Sequence, residues 1–287
     1  MKNTIETNSL SKVVKKRFVS FLIYAVFITF AFLTVYPLLW MLLTSFKSTV
    51  EIIKFPLSLP KEVIFTNYVQ AVKLGKLGLY AINSVIYTGF STTLTVILAM
   101  MAAFGFAKLK FKISKIIYNL FLIGLLISIH SILVPLFIAM TRIGLNDTHL
   151  GIIIVYTAIN LPLAIYIATE FVKAIPDSII ESATIDGASY IQIFFKIILP
   201  MSKPVVTTIV ILTILACWNE FILVFILTSS DFTRSLPVGI YMFSGPLAIE
   251  YGMQFAALVI GVVPLVIFYI LFNKKITKGI VAGAVKE

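Results

Sequence analysis

The sequence predicts an all-α polytopic membrane protein with six transmembrane helices, and three observations predict it. Of the 287 residues 60% are hydrophobic and only 12% charged, and the mean hydropathy is +1.06, a balance found in membrane-spanning chains and not around a water-soluble core. Apolar runs long enough to cross a bilayer, which takes about 20 helical residues, lie at 18–46, 82–107, 116–140, 150–169, 205–228 and 253–272. Strand-period alternation is absent from these runs, so intrahelical hydrogen bonds are the remaining way to satisfy the backbone in lipid.

Taken in order, residues 1–17 form a leading segment that ends in Lys15-Lys16-Arg17, and its polar stretch from Met1 to Ser11 is expected to be loosely ordered. The first span, 18–46, is too long for a signal-peptide core and no small-residue cleavage site follows it, so it reads as an uncleaved anchor. The connector 47–81 carries Pro56, Pro60, Gly75 and Gly78 as turn signals and a short amphipathic piece over Asn67–Leu74, suited to a membrane surface or to contact with an external partner. After the second span, 82–107, a tight basic turn from Lys108 to Lys115 fits anionic lipid headgroups. The third span, 116–140, holds Pro135 and the fourth, 150–169, holds Asn160 and Pro162; Pro264 lies in the sixth, and each proline loosens or kinks its helix. The membrane domain is therefore 18–272, interrupted by a polar loop over 176–204 and followed by a tail, 273–287.

Lys and Arg set the orientation. With the leading segment inside, the inner set is Lys2, Lys12, Lys15, Lys16, Arg17, Lys108, Lys110, Lys112, Lys115, Lys173, Lys196, Lys203, Lys274, Lys275, Lys278 and Lys286, which is 16 of 23 positive charges. Both termini and the loop 176–204 are then cytoplasmic. The net charge of +11 follows from this asymmetry, and no nucleic-acid footprint is needed to explain it.

The loop from Pro176 to Pro200 is the one polar, glycine-broken interval in the second half of the chain. Its spacing predicts a short helix with Ser178 as N-cap and Glu181 three residues on, a capping box, and Asp177 adding charge at the positive dipole end. Gly187 can take a left-handed backbone and close that helix, and Pro200 is expected to force Leu199 out of the helical region and end a second one. The product is a helix-turn-helix knob shaped to be gripped by another protein.

Little in the chain points to bond-making chemistry. There is no GxxxxGK[ST] loop, no nucleophile triad, no paired catalytic carboxylates and no His or Cys spacing for a metal. No cofactor is therefore expected. His130 reads as a hydrogen-bonded core histidine, His149 as a loop residue, and the single Cys217 permits no intrachain disulfide. Glu220, in Trp218-Asn219-Glu220-Phe221, is the only ionisable residue at membrane depth in the fifth span. A carboxylate there costs about 2.5 kcal/mol or more on insertion scales. It either lines a solute path, relays protons, or is a buried carboxyl satisfied by its neighbours.

Glu181-Ser182-Ala183, Asp186-Gly187-Ala188 and Ile198-Leu199-Pro200 resemble the EAA loop of the membrane subunits of binding-protein-dependent ABC importers, with serine for the usual first alanine. Tyr36-Pro37 through Ser45-Phe46-Lys47, Asn83-Ser84, Gly144-Leu145-Asn146-Asp147-Thr148, Trp218-Asn219-Glu220-Phe221, Leu236-Pro237-Val238-Gly239 and the tail Lys278 to Lys286 are similar to the sugar-importer permeases of the maltose-transporter G-subunit type. The resemblance implies the type I ABC importer permease fold in a bacterial or archaeal cell membrane. It also implies a second, different permease subunit, two cytoplasmic ATPase subunits and an extracytoplasmic solute-binding protein as partners. Glu181, Ser182, Ala183, Asp186, Gly187, Leu199 and Pro200 would couple to the ATPases, Asp177 and Ser178 would cap the coupling helix, and Trp218, Asn219 and Glu220 are candidates for the translocation path. The resemblance implies a non-catalytic subunit for an oligosaccharide or glycoside. Glycerol phosphate or a polyol is the alternative solute, and a proton-coupled secondary transporter using Glu220 is the alternative mechanism.

Overall fold

The computed structural model describes residues 2–109, 111–243 and 250–284, with side chains placed for 17–109, 111–243 and 250–273. Lys110, Gly245, Pro246 and the tail residues Val285 and Lys286 lie outside the described residues. The described part is helical and contains no strand. In chain order the helices are α1 Lys2–Thr44, α2 Thr49–Lys54, α3 Thr66–Lys73, α4 Leu77–Lys108, α5 Ser114–Gly124, α6 Ile129–Arg142, α7 His149–Lys173 and α8 Asp177–Ile185. They continue with α9 Tyr190–Ile193, a π-helical turn Phe194–Ile198, α10 Leu199–Met201, α11 Lys203–Asn219, α12 Ile222–Leu227, α13 Leu236–Met242 and α14 Tyr251–Ala284.

Four of these, α1, α4, α7 and α14, are long and apolar enough to cross a membrane, and two bent pairs bring the number to six if each pair is one span. No Gly or Pro precedes Pro37 in α1, so the leading segment expected to be loose instead continues the helix back to Lys2. From Phe18 to Leu39 the large side chains of α1 point outward, an arrangement that suits hydrocarbon or another chain and not water.

The core is built on α4, which packs along α7 and α11. At the α8 end, Ala99 and Ala103 of α4 meet Ala164 and Ala168 of α7, and this small-residue seam lets the two backbones approach closely. Around it pack Phe104, Val172, Ala183, Ile193, Phe194, Ile198 and Ile209. A middle cluster joins Tyr87, Val155, Tyr156, Leu223 and Val224, and the opposite end is filled by Ala71, Leu77, Tyr80, Leu236, Ala256 and Ala257.

Two of the expected spans are not single rods. The run 116–140 is divided into α5 and α6, which meet at 104°. The break is not at Pro135, which sits inside α6, but at 125–128, where Ser128 is extended (φ −66°, ψ 132°). Gly124, the last residue of α5, lies against Pro162 of α7, and a Cβ there would stand 3.1 Å from the proline ring. The run 205–228 is likewise split, because α11 ends at Asn219 and α12 begins at Ile222.

The expectation for Pro200 is also overturned. Leu199 stays helical (φ −62°, ψ −44°), and Pro200 lies within α10. The preceding turn is π-helical, with the Leu199 amide donating to the Phe194 carbonyl five residues back. That wider turn lets the helix run into a proline without the usual i−4 clash. The chain bends instead at Ser202 (φ −85°, ψ 6°), 75° between the helical segments on either side.

Candidate functional site: a projecting helix and two polar locks

Helix α8 begins two residues earlier than its polar spacing suggests, at Asp177. Pro176 occupies the N-cap position (φ −58°, ψ 135°) without a side-chain cap bond, so Ser178 already lies in the first turn and the Ser178–Glu181 box does not form. Proline fixes the geometry at which the helix starts, and this decides the register of every polar residue after it. The capping box falls one helix later, where Gln192 N donates to Ser189 Oγ (3.3 Å) and Ser189 N donates to Gln192 Oε1 (2.9 Å). Asp177 is held by Lys108 at 2.6 Å and serves α8 as a first-turn anion, not as a cap.

The other end of α8 closes as the sequence implies. Gly187 has φ +80°, its amide donates to the Thr184 carbonyl, and the Ala188 amide donates to the Ala183 carbonyl, both at 3.0 Å. This paired arrangement is a Schellman motif, which needs a left-handed residue at the position of Gly187. Ala183 is buried in the core, while Glu181, Ser182, Asp186 and Gly187 face outward. Leu199 and Pro200 lie off this projection, beside α4, lining a groove of about 420 Å³ with Val96, Met100, Phe194 and Phe195.

Three apolar residues complete the projecting surface and were not singled out by the sequence pattern. Ile185 is 86% exposed, Ile191 71% and Tyr190 59%. Their signal was present as isolated greasy residues in a polar interval, but a membrane-protein sequence is so rich in such residues that exposure alone identifies these.

The Trp218-Asn219-Glu220 motif is divided by the break after α11. Trp218 and Asn219 line a groove of about 370 Å³ with Phe221, Ile240, Tyr241 and Gly261. Trp218 also borders a larger cavity of about 530 Å³ that reaches Thr88 and Thr92 of α4. The oxygens of both threonines are buried and without a partner among the described residues. Glu220 turns the other way. Its carboxylate accepts from Leu223 N (3.0 and 3.1 Å), Val224 N (3.4 Å) and Tyr156 Oη (3.3 Å). It thereby satisfies orphan amides at the start of α12, groups that hydrocarbon would leave unpaired at a cost of several kcal/mol each. Asn160 donates to the Tyr156 carbonyl (2.8 Å) and to Cys217 Sγ (3.6 Å), closing this internal polar lock.

At the end opposite α8 a second lock forms. Asp147 has φ +55°, and its carboxylate accepts from the amides of Ser229 (3.0 Å) and Ser230 (3.1 Å), from Ser230 Oγ (3.1 Å) and from Thr233 Oγ1. Burial acts to raise the Asp147 pKa, but the Thr233 hydroxyl and the two amides outweigh it and hold the carboxyl below its ordinary range. From α4, Asn83 donates to the carbonyls of Phe232 (2.8 Å) and Arg234 (2.9 Å), Tyr87 to that of Thr233 (2.7 Å), and Ser84 accepts the Leu236 amide (2.8 Å). Lys76 and Arg234 pair with Asp231 at 2.7 and 2.5 Å, and Lys76 above all lowers the Asp231 pKa. Spacing showed none of this convergence, because residues some 80 to 150 positions apart supply it.

Among the described residues no group of three or more His, Cys, Asp or Glu can hold a metal ion. Residues 95–281 match the family described as binding-protein-dependent transport system inner membrane component. The chain is 34% identical to the diacetylchitobiose uptake system permease protein of Streptomyces coelicolor over 91% of its own length and 87% of that protein's. It is 33% identical to the trehalose/maltose transport system permease protein of Thermococcus litoralis over 90% of this chain and 94% of that one. It is also 33% identical to the sulfoquinovosyl glycerol transport system permease protein of Agrobacterium fabrum over 88% of each. Among solved structures it is similar to a bacterial ABC transporter involved in the import of the acidic polysaccharide alginate, with a TM-score of 0.76 at 22% identity, covering 90% of this chain and 96% of that chain.

Proposed function

The chain belongs to the family of binding-protein-dependent transport system inner membrane components, and from that premise we propose that it is a sugar-translocating permease subunit of an ABC importer, driven through α8. The supporting observation is the projecting helix itself. It is locked at its far end by a left-handed Gly187 and rooted in the core by Ala183, and its exposed Ile185 stands with Tyr190 and Ile191 of the following α9 as an apolar surface for a partner. Apolar side chains exposed on a polar knob fit a protein socket.

In this reading Glu181, Ser182, Asp186 and Gly187 face a cleft on a cytoplasmic ATPase. Ser182 and Gly187 allow close approach, and the two carboxylates supply polar anchoring. Closure of two ATPase subunits around ATP shifts the permease from inward-facing to outward-facing, because the closed dimer holds α8 differently. A second permease subunit shares the path, and an extracytoplasmic binding protein delivers solute to it. The solute is an oligosaccharide or glycoside, the class named for the chitobiose, trehalose/maltose and sulfoquinovosyl glycerol relatives. Trp218 and Asn219 are assigned to the path because both open onto a groove. Glu220 is assigned to holding α12, since its oxygens are already engaged by the Leu223 and Val224 amides and Tyr156.

The test is uptake by the four-subunit complex, with its binding protein, in proteoliposomes. Uptake of a labelled oligosaccharide is expected to require ATP and to survive a protonophore. Gly187→Val, which forces a β-branched residue to φ +80°, is expected to lose ATPase co-purification or coupling while the subunit still inserts. Proton-dependent uptake by this chain alone, or normal coupling in Gly187→Val, would overturn the proposal.

A further inference from the structure

Three of the four long apolar helices contain a proline, Pro37 in α1, Pro162 in α7 and Pro264 in α14. Helix α4 does not, and it runs for 32 unbroken residues, about 48 Å at 1.5 Å per residue. Both of its ends are fastened by buried polar side chains. Lys108, its last residue, donates to the Ile175 carbonyl at 2.5 Å and to Asp177 Oδ1 at 2.6 Å. The lysine side chain is only 4% exposed, although the Asp177 side chain is 68% exposed. An ammonium stripped of water this far is confined to the geometry that satisfies it. It therefore holds the peptide leading into α8 and the first residue of α8, which has no side-chain cap of its own.

At the other end Asn83, Ser84 and Tyr87, each 3% exposed or less, hold the main chain of Phe232, Thr233, Arg234 and Leu236. Residues 83, 84 and 87 share one helix face, so one side of α4 grips a continuous stretch of that loop. Lys76, the residue before α4, adds its ion pair to Asp231.

We propose that α4 is the rod that ties the α8 knob to the loop 229–236, and that Lys108 is a positioning residue fixing α8 to it. The proposal rests on the reading of α8 as the ATPase-docking helix and adds the route by which its movement reaches the opposite face. Helix α7 is joined to α8 directly through 174–176, but Pro162 interrupts its hydrogen-bond ladder, whereas α4 has no proline between Leu77 and Lys108 and stays one continuous helix. A displacement of α8 that keeps both Lys108 bonds moves α4 as a body and carries the Asn83, Ser84 and Tyr87 contacts with it. Reciprocity follows, and a ligand that displaces the loop 229–236 biases α8 by the same free energy.

The experiment uses the full complex in lipid nanodiscs, with Cys217→Ala and a spin label on Phe232→Cys, a site 74% exposed. With Lys108 intact, trapping the ATPases with ATP and vanadate is expected to change the label's mobility. In Lys108→Met the ATPases are expected to co-purify and hydrolyse ATP, while the label's response is lost and uptake falls at least tenfold; Lys108→Arg is expected to restore part of both. A wild-type label response in Lys108→Met overturns the proposal. If Lys108→Met fails to assemble, Asp177→Asn replaces it, with weakened response expected and an unchanged one overturning the idea. Failure of the docking assignment itself reads differently, as ATPases that remain coupled in Gly187→Val.

Discussion

Replacing Asp147 with Asn isolates the charge in the lock at the end opposite α8. Asp147 sits at φ +55°, a conformation that Asn tolerates better than other non-glycine residues, so the substitution leaves the backbone in place. The carboxylate accepts two main-chain amides, from Ser229 and Ser230, and two hydroxyls, from Ser230 and Thr233. Hydrogen bonds to a charged group contribute about 1.5–3 kcal/mol and neutral ones about 0.5–1.5, so the loss is about 1 kcal/mol per amide. Two amides give about 2 kcal/mol, or roughly 30-fold more frequent opening. Partial exposure of the site, where Ser229 lies at the surface, reduces this towards about tenfold through solvent screening. Asp147→Ala removes every acceptor and adds a left-handed alanine at about 1 kcal/mol more. Hydrogen exchange of the Ser229 and Ser230 amides at neutral pH, measured by mass spectrometry in nanodiscs, reads the opening directly. Exchange in both variants equal to that of the parent would refute the claim that Asp147 holds the loop.

Three further outcomes follow from the same geometry. The Asp147 carboxyl is depressed in the folded chain, so its contribution is fully present above the unfolded value near 3.9 and is lost only as pH falls through the lower folded value; opening of the loop, read as Ser229 and Ser230 amide exchange corrected for its intrinsic pH dependence, should therefore stay constant between about pH 5 and 7 and rise only below about pH 4. Glu220→Ala, which leaves the Leu223 and Val224 amides without their acceptor, should cost about 1–3 kcal/mol per orphaned group and lower the unfolding temperature of the complex. Glu220→Gln keeps an acceptor and should retain most stability and uptake, so equal losses in the two variants would favour a role for the charge in the path. Gly239→Ala places a Cβ 2.2 Å from Tyr80 Cδ2, so overpacking should destabilise the α4–α13 contact by about 1–3 kcal/mol, visible as a lower melting temperature.

The knob was legible because its signals are local. Gly187 needed only its own φ and the two bonds that follow from it. The start of α8 does not follow from equally local cues, since Ser178 and Glu181 have capping-box spacing but Pro176 sets the first turn two residues earlier. Pro200 was misjudged because the π-helical turn before it removes the clash on which the expectation relied. Glu220 shows the same limit in another form. Its depth in an apolar run was evident, but whether it met solute, a proton or its own backbone depended on a helix break that hydropathy averages away.

What the sequence by itself determined is the solvent: apolar runs of bilayer length and the polar interval between them require only the free energy of transferring each segment between water and lipid. The tertiary structure alone decided where the runs break and what fastens them. The 104° turn between α5 and α6, the Glu220 cap on α12, the Asp147 lock and the Lys108 tie all depend on partners that adjacency and periodicity do not encode. Buried polar groups must find acceptors or donors wherever the packed chain brings them, and for Asp147 and Ser230 that partner is 83 residues away.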